Sequence, residues 1–321
     1  MSKSIRTWLI VASSLFLVGG IVFGGAMIAL GWNFSKLSTV KYETNTYEIT
    51  QPFTNISIVS DTADIHFLPS EDSKSSVVCY EQKNTPYSVT VSNDTLVIEV
   101  VDKRKWYEYI GITWGTPKVT IYLPNTEYHT LYIKEITGDI TIPHDFAFKS
   151  MDITASTGDV ENNASTSETV KITTDTGSIS SQNISAGALY LSASTGKITL
   201  SGITCTGDIT TNVSTGKIDI TDSSCKNLIS QGSTGTISLK NVIAEKTFTI
   251  ERNTGNIKLD RCDAAELFIK TATGDVAGSL LSDKVFITET DTGRIDVPKS
   301  ITGGRCEITT DTGDIRITIQ P

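Results

Sequence analysis

The dipeptide Thr-Gly recurs with its glycine at positions 138, 158, 177, 196, 216, 235, 255, 274, 293 and 313, a step of 19 or 20 residues each time. A fixed period of this length means a stack of similar units, and it outranks every local signal. Two residues after each glycine stands Ile or Val, from Ile140 and Val160 to Ile295 and Ile315. Seven before each glycine the residue is apolar, from Leu131 and Met151 to Phe286 and Cys306. Five before it stands Ile or Leu, or else Thr or Ser as at Thr211, Ser230 and Thr288. The spacing of two is strand alternation with one face turned inward. Glycine between the strands can take positive φ without steric cost, which suits a tight turn. A third short column follows seven and nine after glycine, as in Ile203 with Cys205 and Val242 with Ala244.

A helical reading fails, because the apolar period is two and the residues are β-branched. Propeller blades need about 40 residues, and leucine-rich repeats need a Leu/Asn signature that is missing. The expected fold is all-β: a parallel β-solenoid of about ten coils, roughly 45–50 Å long at ~4.8 Å per rung. Ile56, Ile58, Ala63, Ile65 and Phe67 match the same register and read as a degenerate first coil, with Ala63 in the glycine place. Residues 69–128 interrupt the repeat. Strands are expected at Val77–Tyr80 and Lys118–Leu123, with a hairpin of Tyr87–Val91 and Leu96–Val100 around Asn93-Asp94. This insertion is expected to cap the N-terminal end, since terminal repeats need covering. No comparable cap follows the last coil, so the final strand reads as a bare C-terminal edge open to another copy.

The other dominant feature is the run from Trp8 to Trp32, which carries no charge. It is long enough to cross ~30 Å of hydrocarbon, with Trp at both ends as interfacial anchors. Lys3 and Arg6 precede it, which keeps the short tail in the cytoplasm and sends the remainder outward. The rival is a cleaved signal peptide with Gly24-Gly25-Ala26 as its small-residue site. The chain thus divides into a tail (1–7), a membrane helix (8–32), a linker (33–48), the degenerate coil with its β-rich insertion (49–128) and the solenoid (129–321).

The net charge of −9 argues against nucleic acid, which demands a basic footprint. Five cysteines and three histidines (His66, His129, His144) show no metal spacing, and no cofactor motif occurs. Cys205 and Cys225 occupy one small-residue column on adjacent coils, a stacked thiol pair within reach of a disulfide. Core filling is the simpler account of all five cysteines. Asp175, Asp291 and Asp311 each begin an Asp-Thr-Gly. The same slot elsewhere holds Ser, Asn or Ala, so it reads as a turn position and not as an aspartic-protease motif. Directly after the glycines, Asp139 and Asp159 stack one coil apart. That spacing suits a retaining-glycosidase pair or a cation site, but a solvated charge ladder explains it more simply. Between Lys103 and Gly115 lie Trp106, Tyr107, Tyr109 and Trp114, candidates for contact with a partner or glycan, or for packing over the end of the stack.

A membrane anchor, a half-repeat, an insertion with an Ile-Tyr-Leu-Pro strand and many Thr-Gly-Asp-Ile-like coils together resemble the bacterial putative-adhesin family, which includes LiaG-like envelope proteins. The resemblance covers residues 42–321. It implies an envelope location and a role in adhesion or envelope stress, and it brings no catalytic residues. The expected function is non-enzymatic binding of a protein, a glycan or another copy. A self-assembling structural protein and a polysaccharide-acting enzyme are the alternatives.

Overall fold

The computed structural model describes residues 3–33, 40–104 and 115–320. It shows one helix, α1 (Lys3–Ala29), followed by a parallel β-solenoid. The apolar part of α1, Ser4–Ala29, has a mean hydropathy of 2.2, and Met27 apart its side chains are not buried by the rest of the protein. By length and composition it suits a membrane anchor, and a signal sequence has the same character.

Each coil runs through an inward-alternating strand, a Thr-Gly turn and a second strand. Neighbouring coils pair in register, as where Leu189 meets Ile209 and Ile198 meets Ile218. The turn glycines stack directly. A Cβ on Gly177 would lie 1.9 Å from the carbonyl oxygen of Gly158, and one on Gly216 would lie 1.7 Å from that of Gly196. Their φ angles of 149° and 145° add a second bar to any side chain. The first coil, Asn55–Ser60 with Asp64–Pro69, takes part in the same column, since Gly138 stacks on the carbonyl of Ala63. The lumen is filled by the aliphatic columns together with Phe67, Phe146, Phe148 and Phe248.

A second corner went unread in the sequence. Six residues after the turn glycine, Asn183, Gly202, Asp222, Asn241 and Arg261 all take left-handed backbone, with φ from 49° to 67°. Asn, Asp and Gly tolerate this region best, and that is the signal their spacing carried.

At the N-terminal end the stacking order departs from chain order. Thr95–Val100 and Lys118–Leu123 form a coil beneath the first one, with Ile56 opposite Leu96 and Ile65 opposite Val119. Tyr87–Ser92 closes one face of that coil antiparallel, through a turn in which Asn93 and Asp94 both have positive φ. Ser75–Gln82 closes the other face. Tyr42–Ile49 then adds an outer antiparallel strand, although the sequence reading had residues 33–48 as linker. Its apolar pattern is weak. Pairing places it there, helped by Asn45, whose amide donates to the buried carboxylate of Glu81 at 2.6 Å.

The distal end overturns the expectation of a bare C-terminal strand. Gly304–Thr312 and Ile315–Ile319 lie between two other coils. Leu267 pairs with Cys306 on one side, and Phe286 pairs with Cys306 on the other. Val276 and Ile295 flank Ile315 in the same way. The hydroxyls repeat the order: Thr310 donates to the Gly274 carbonyl and Thr290 to the Gly313 carbonyl. Gly303-Gly304 makes this passage feasible. A Cβ on Gly303 would strike the Asp283 carbonyl at 1.9 Å, and one on Gly304 the Ala265 carbonyl at 1.7 Å. The outermost coil is therefore Lys284–Thr292 with Ile295–Asp296.

Substituting Gly177→Ala should lower the unfolding free energy by ~2–4 kcal/mol, through the carbonyl clash and the unfavourable φ. Ser194→Ala, on the exposed corner of the next coil, should change it by less than about 0.5 kcal/mol. Denaturant unfolding of the two variants measures the contrast, and equal effects would contradict the glycine argument.

Candidate functional site

In the coils nearer both ends, the slot after the turn glycine has a job internal to the rod. The Asp159 N–H donates to Asp139 Oδ1 at 2.8 Å, and the Ser178 N–H donates to Asp159 Oδ1 at 2.7 Å. Asp139 in turn bonds to Asp64 Oδ1 at 3.2 Å. The distal coils repeat this with Asn256, Asp275 and Asp314 as acceptors for the next coil's N–H. Asp139 and Asp159 are thus brought together as the sequence suggested, but one oxygen of each is taken up in fixing the neighbouring backbone. The Arg294 N–H, with help from Arg316, holds the Asp314 carboxyl below its ordinary range. The series breaks in mid-rod, where the slots hold Lys197, Lys217 and Thr236; Lys197 instead pairs with Asp219 at 2.7 Å.

Trp106, Tyr107, Tyr109 and Trp114 lie outside the described residues. The chain on either side of them is anchored. The Lys103 N–H donates to the Asn84 carbonyl at 2.9 Å, and the Tyr42 hydroxyl donates to the Gly115 carbonyl while its ring stacks on Tyr80.

Cys205 and Cys225 are brought together. Thr204 and Ser224 pair on adjacent coils, which sets the following cysteines one rung apart. Both are buried and both are free thiols. The Cys205 thiol faces the carbonyls of Gly187 and Asp208 at 3.6 Å each. Burial pushes the Cys225 thiol up to about 12.

Sequence reasoning missed the inward column three residues before each glycine. It is filled mainly by Ala, Thr and Val, yet it carries Glu135 and Arg252, which are 1% and 2% exposed. A charge in an otherwise small or aliphatic column was the available signal. Arg252 extends across the space left by Gly232, where a Cβ would lie 1.8 Å from its Nη1, and donates to the Val213 carbonyl at 2.7 Å. Glu135 Oε1 accepts the N–H groups of Ala63 and Thr137. Its Oε2 has no partner among the described residues, and beside it the Ser60 and Tyr87 hydroxyls bond at 2.6 Å. Desolvation raises the Glu135 carboxyl to about 7.

The exposed apolar surface of the rod's distal end belongs to the outermost coil and the loop behind it. Val285, Ile287, Ile295 and Ile301 are all exposed, Ile287 by 50% and Ile301 by 94%. Among the described residues, Lys284–Thr292 and Ile295–Asp296 pair on one side only. Lys284 is held in place by Asp263 at 2.7 Å.

Glu135 gives a pH prediction. Its folded value of about 7 lies above the ordinary 4.5. The folded state therefore binds this proton more tightly, and the stability it confers is full below about pH 4.5 and lost as pH rises through 7. The loss is ~3 kcal/mol, an order-of-magnitude figure from the shift. Glu135→Gln should raise the melting temperature by several degrees at pH 8 and leave it unchanged at pH 4.5. Calorimetry at both values checks this, and a pH-independent difference would refute it.

A family model described as Toastrack DUF4097 matches residues 53–214 and 206–321. No curated protein matches the chain. Among solved structures, a Bacteroides fragilis protein described as a "putative adhesin" is 15% identical with a TM-score of 0.41, over 87% of this chain and 97% of that one. A Parabacteroides distasonis "putative lipid binding protein" is 12% identical with a TM-score of 0.40, over 86% and 97%. A second protein of that organism, a "putative adhesin", is 12% identical with a TM-score of 0.41, over 87% and 98%.

Proposed function

Because this chain belongs to the Toastrack DUF4097 family, a membership that defines its architecture and leaves its activity open, we propose that it is a non-enzymatic binding protein whose contact end is the distal coil. In this reading α1 anchors the chain in a membrane and the solenoid stands outside the cytoplasm. One observation carries the proposal: the coil at Lys284–Asp296 offers an unpaired strand edge flanked by exposed Ile287, Ile295 and Ile301. Monomeric proteins usually blunt such an edge, and this one accepts a further strand by main-chain hydrogen bonds. The N–H bonds on Asp139 and Asp159 favour binding over carboxylate catalysis, since those oxygens already serve the rod.

A second copy is the first partner to test. At the N-terminal end the outer strands Tyr42–Ile49 and Tyr87–Ser92 are antiparallel, so they do not present the parallel coil that a head-to-tail stack would continue. A contact between two distal coils closes as a pair and does not grow into a filament. Light scattering on the full chain in detergent, across a concentration series, should show a monomer–dimer equilibrium. Ile287→Lys should weaken it at least tenfold, while Ser194→Lys on the mid-rod corner should not. Ile317→Lys is no test of association, because Ile317 is buried within the intercalated coil. A mass that stays monomeric at every concentration would rule out self-pairing and redirect the search to other partners.

A further inference from the structure

We infer that Cys205 and Cys225 are a redox pair that closes to a disulfide, covalently stapling two neighbouring coils in the middle of the rod. The register of Thr204 with Ser224 puts the two cysteines on successive rungs of one column. A rung of ~4.8 Å lies inside the Cα separation that a disulfide spans, about 4.4–6.8 Å. The column leaves room for the bond: Ala186 pairs with Cys205 on one side and Ala244 with Cys225 on the other, so no large side chain bounds either sulfur along the stack. The remaining cysteines are separated from this pair and from each other. Cys79 lies in the N-terminal strand Ser75–Gln82, Cys262 ends Ile257–Cys262, and Cys306 lies in the intercalated Gly304–Thr312.

The position gives the staple a purpose. Cys205 and Cys225 follow the turns at Gly196 and Gly216, whose next residues are Lys197 and Lys217. These are the coils where the Asp/Asn ladder lapses. A covalent link would join there the tie from the Ile203 N–H to Ser223 Oγ at 3.2 Å, in coils that lack the turn-slot ties found nearer both ends.

The step is a two-electron oxidation. Both S–H bonds break and one S–S bond forms. Two electrons and two protons pass to a disulfide oxidant, a protein disulfide or oxidised glutathione, which becomes two thiols. One thiolate first attacks the oxidant to give a mixed disulfide, and the second then displaces it. Both sulfurs are buried in the folded rod, so exchange takes place as the coils close and not afterwards. Closure in the cell rests on the placement outside the cytoplasm proposed above, where oxidants persist; closure in the tube does not.

The test counts thiols. Full chain extracted from membranes is denatured with iodoacetamide, with and without prior reduction, and mapped by peptide mass. The expected result is alkylation of three of the five cysteines before reduction and five after it, with a Cys205–Cys225 cross-linked peptide. The same chain is also refolded in a mixture of oxidised and reduced glutathione. Cross-linking in both samples supports the inference. Cross-linking only on refolding supports the pair and overturns the placement outside the cytoplasm. Five alkylated thiols in both samples overturn the inference. Cys205→Ser should leave Cys225 fully alkylatable; a new cross-link to another cysteine would show that the pairing is unspecific and overturn it as well.

Discussion

The carbonyl oxygen of each turn glycine stands where the Cβ of the next turn would be, 1.7–2.2 Å from it through the whole column from Gly138 to Gly293. Everything else in the rod follows from that close approach. It fixes the height of one coil above the next and so keeps the strands in register. Register in turn keeps the Ile and Val columns facing the lumen, since a slip of one residue would turn every side chain to the other face. It also brings the residue after each glycine near enough for its carboxylate or amide to take the N–H of the neighbouring coil.

Most of this was legible in the sequence because period and alternation are one-dimensional properties. The ten glycines and the column two residues after them foretell coils, turns and core. The hairpin at Asn93-Asp94 could be read for the same kind of reason, since both residues accept positive φ. Stacking order is different. The steps from Gly274 to Gly293 and on to Gly313 are as regular as any other, yet the Gly313 coil lies between the other two. A repeat dictates what a coil looks like and not which coil it rests on. Only Gly303-Gly304, where two backbones press from opposite sides, left a trace of the crossing. Tyr42–Ile49 was illegible because its partner strand, and no apolar pattern of its own, makes it a strand. The contact aromatics suggested by the sequence fall outside the described residues, and the exposed distal coil could not be assigned until the order of the coils was known.

The distribution of charge also has a simple logic. Outward carboxylates serve the backbone in pairs of coils, each stabilising its neighbour's turn. Inward charge is rare among the described residues, and Arg252 and Glu135 each meet a gap in the repeat. Arg252 occupies the space that Gly232 leaves open. Glu135 caps the turn at Ala63, where the glycine column begins, and stands at the junction with the N-terminal closing strands. Buried groups of this kind cost stability, and their placement at irregular coils shows the repeat giving way to local needs.

The intercalated coil bears on how the rod would respond to tension. In a simple stack the last coil hangs from a single connection and peels off one rung at a time. Here the outermost coil is joined by residues 281–283 to the Gly274 coil and by residues 297–303 to the Gly313 coil, which lie on successive levels beneath it. A pull applied at the tip therefore divides between two covalent paths. Among the described residues, the outermost coil is held by one edge alone, Lys284–Thr292 on Gly304–Thr312 and Ile295–Asp296 on Ile315 and Arg316, whereas Gly304–Thr312 beneath it is paired on both edges. The distal end is built as a splice: the strands locked between their neighbours come free only after the coil above them has been lifted off.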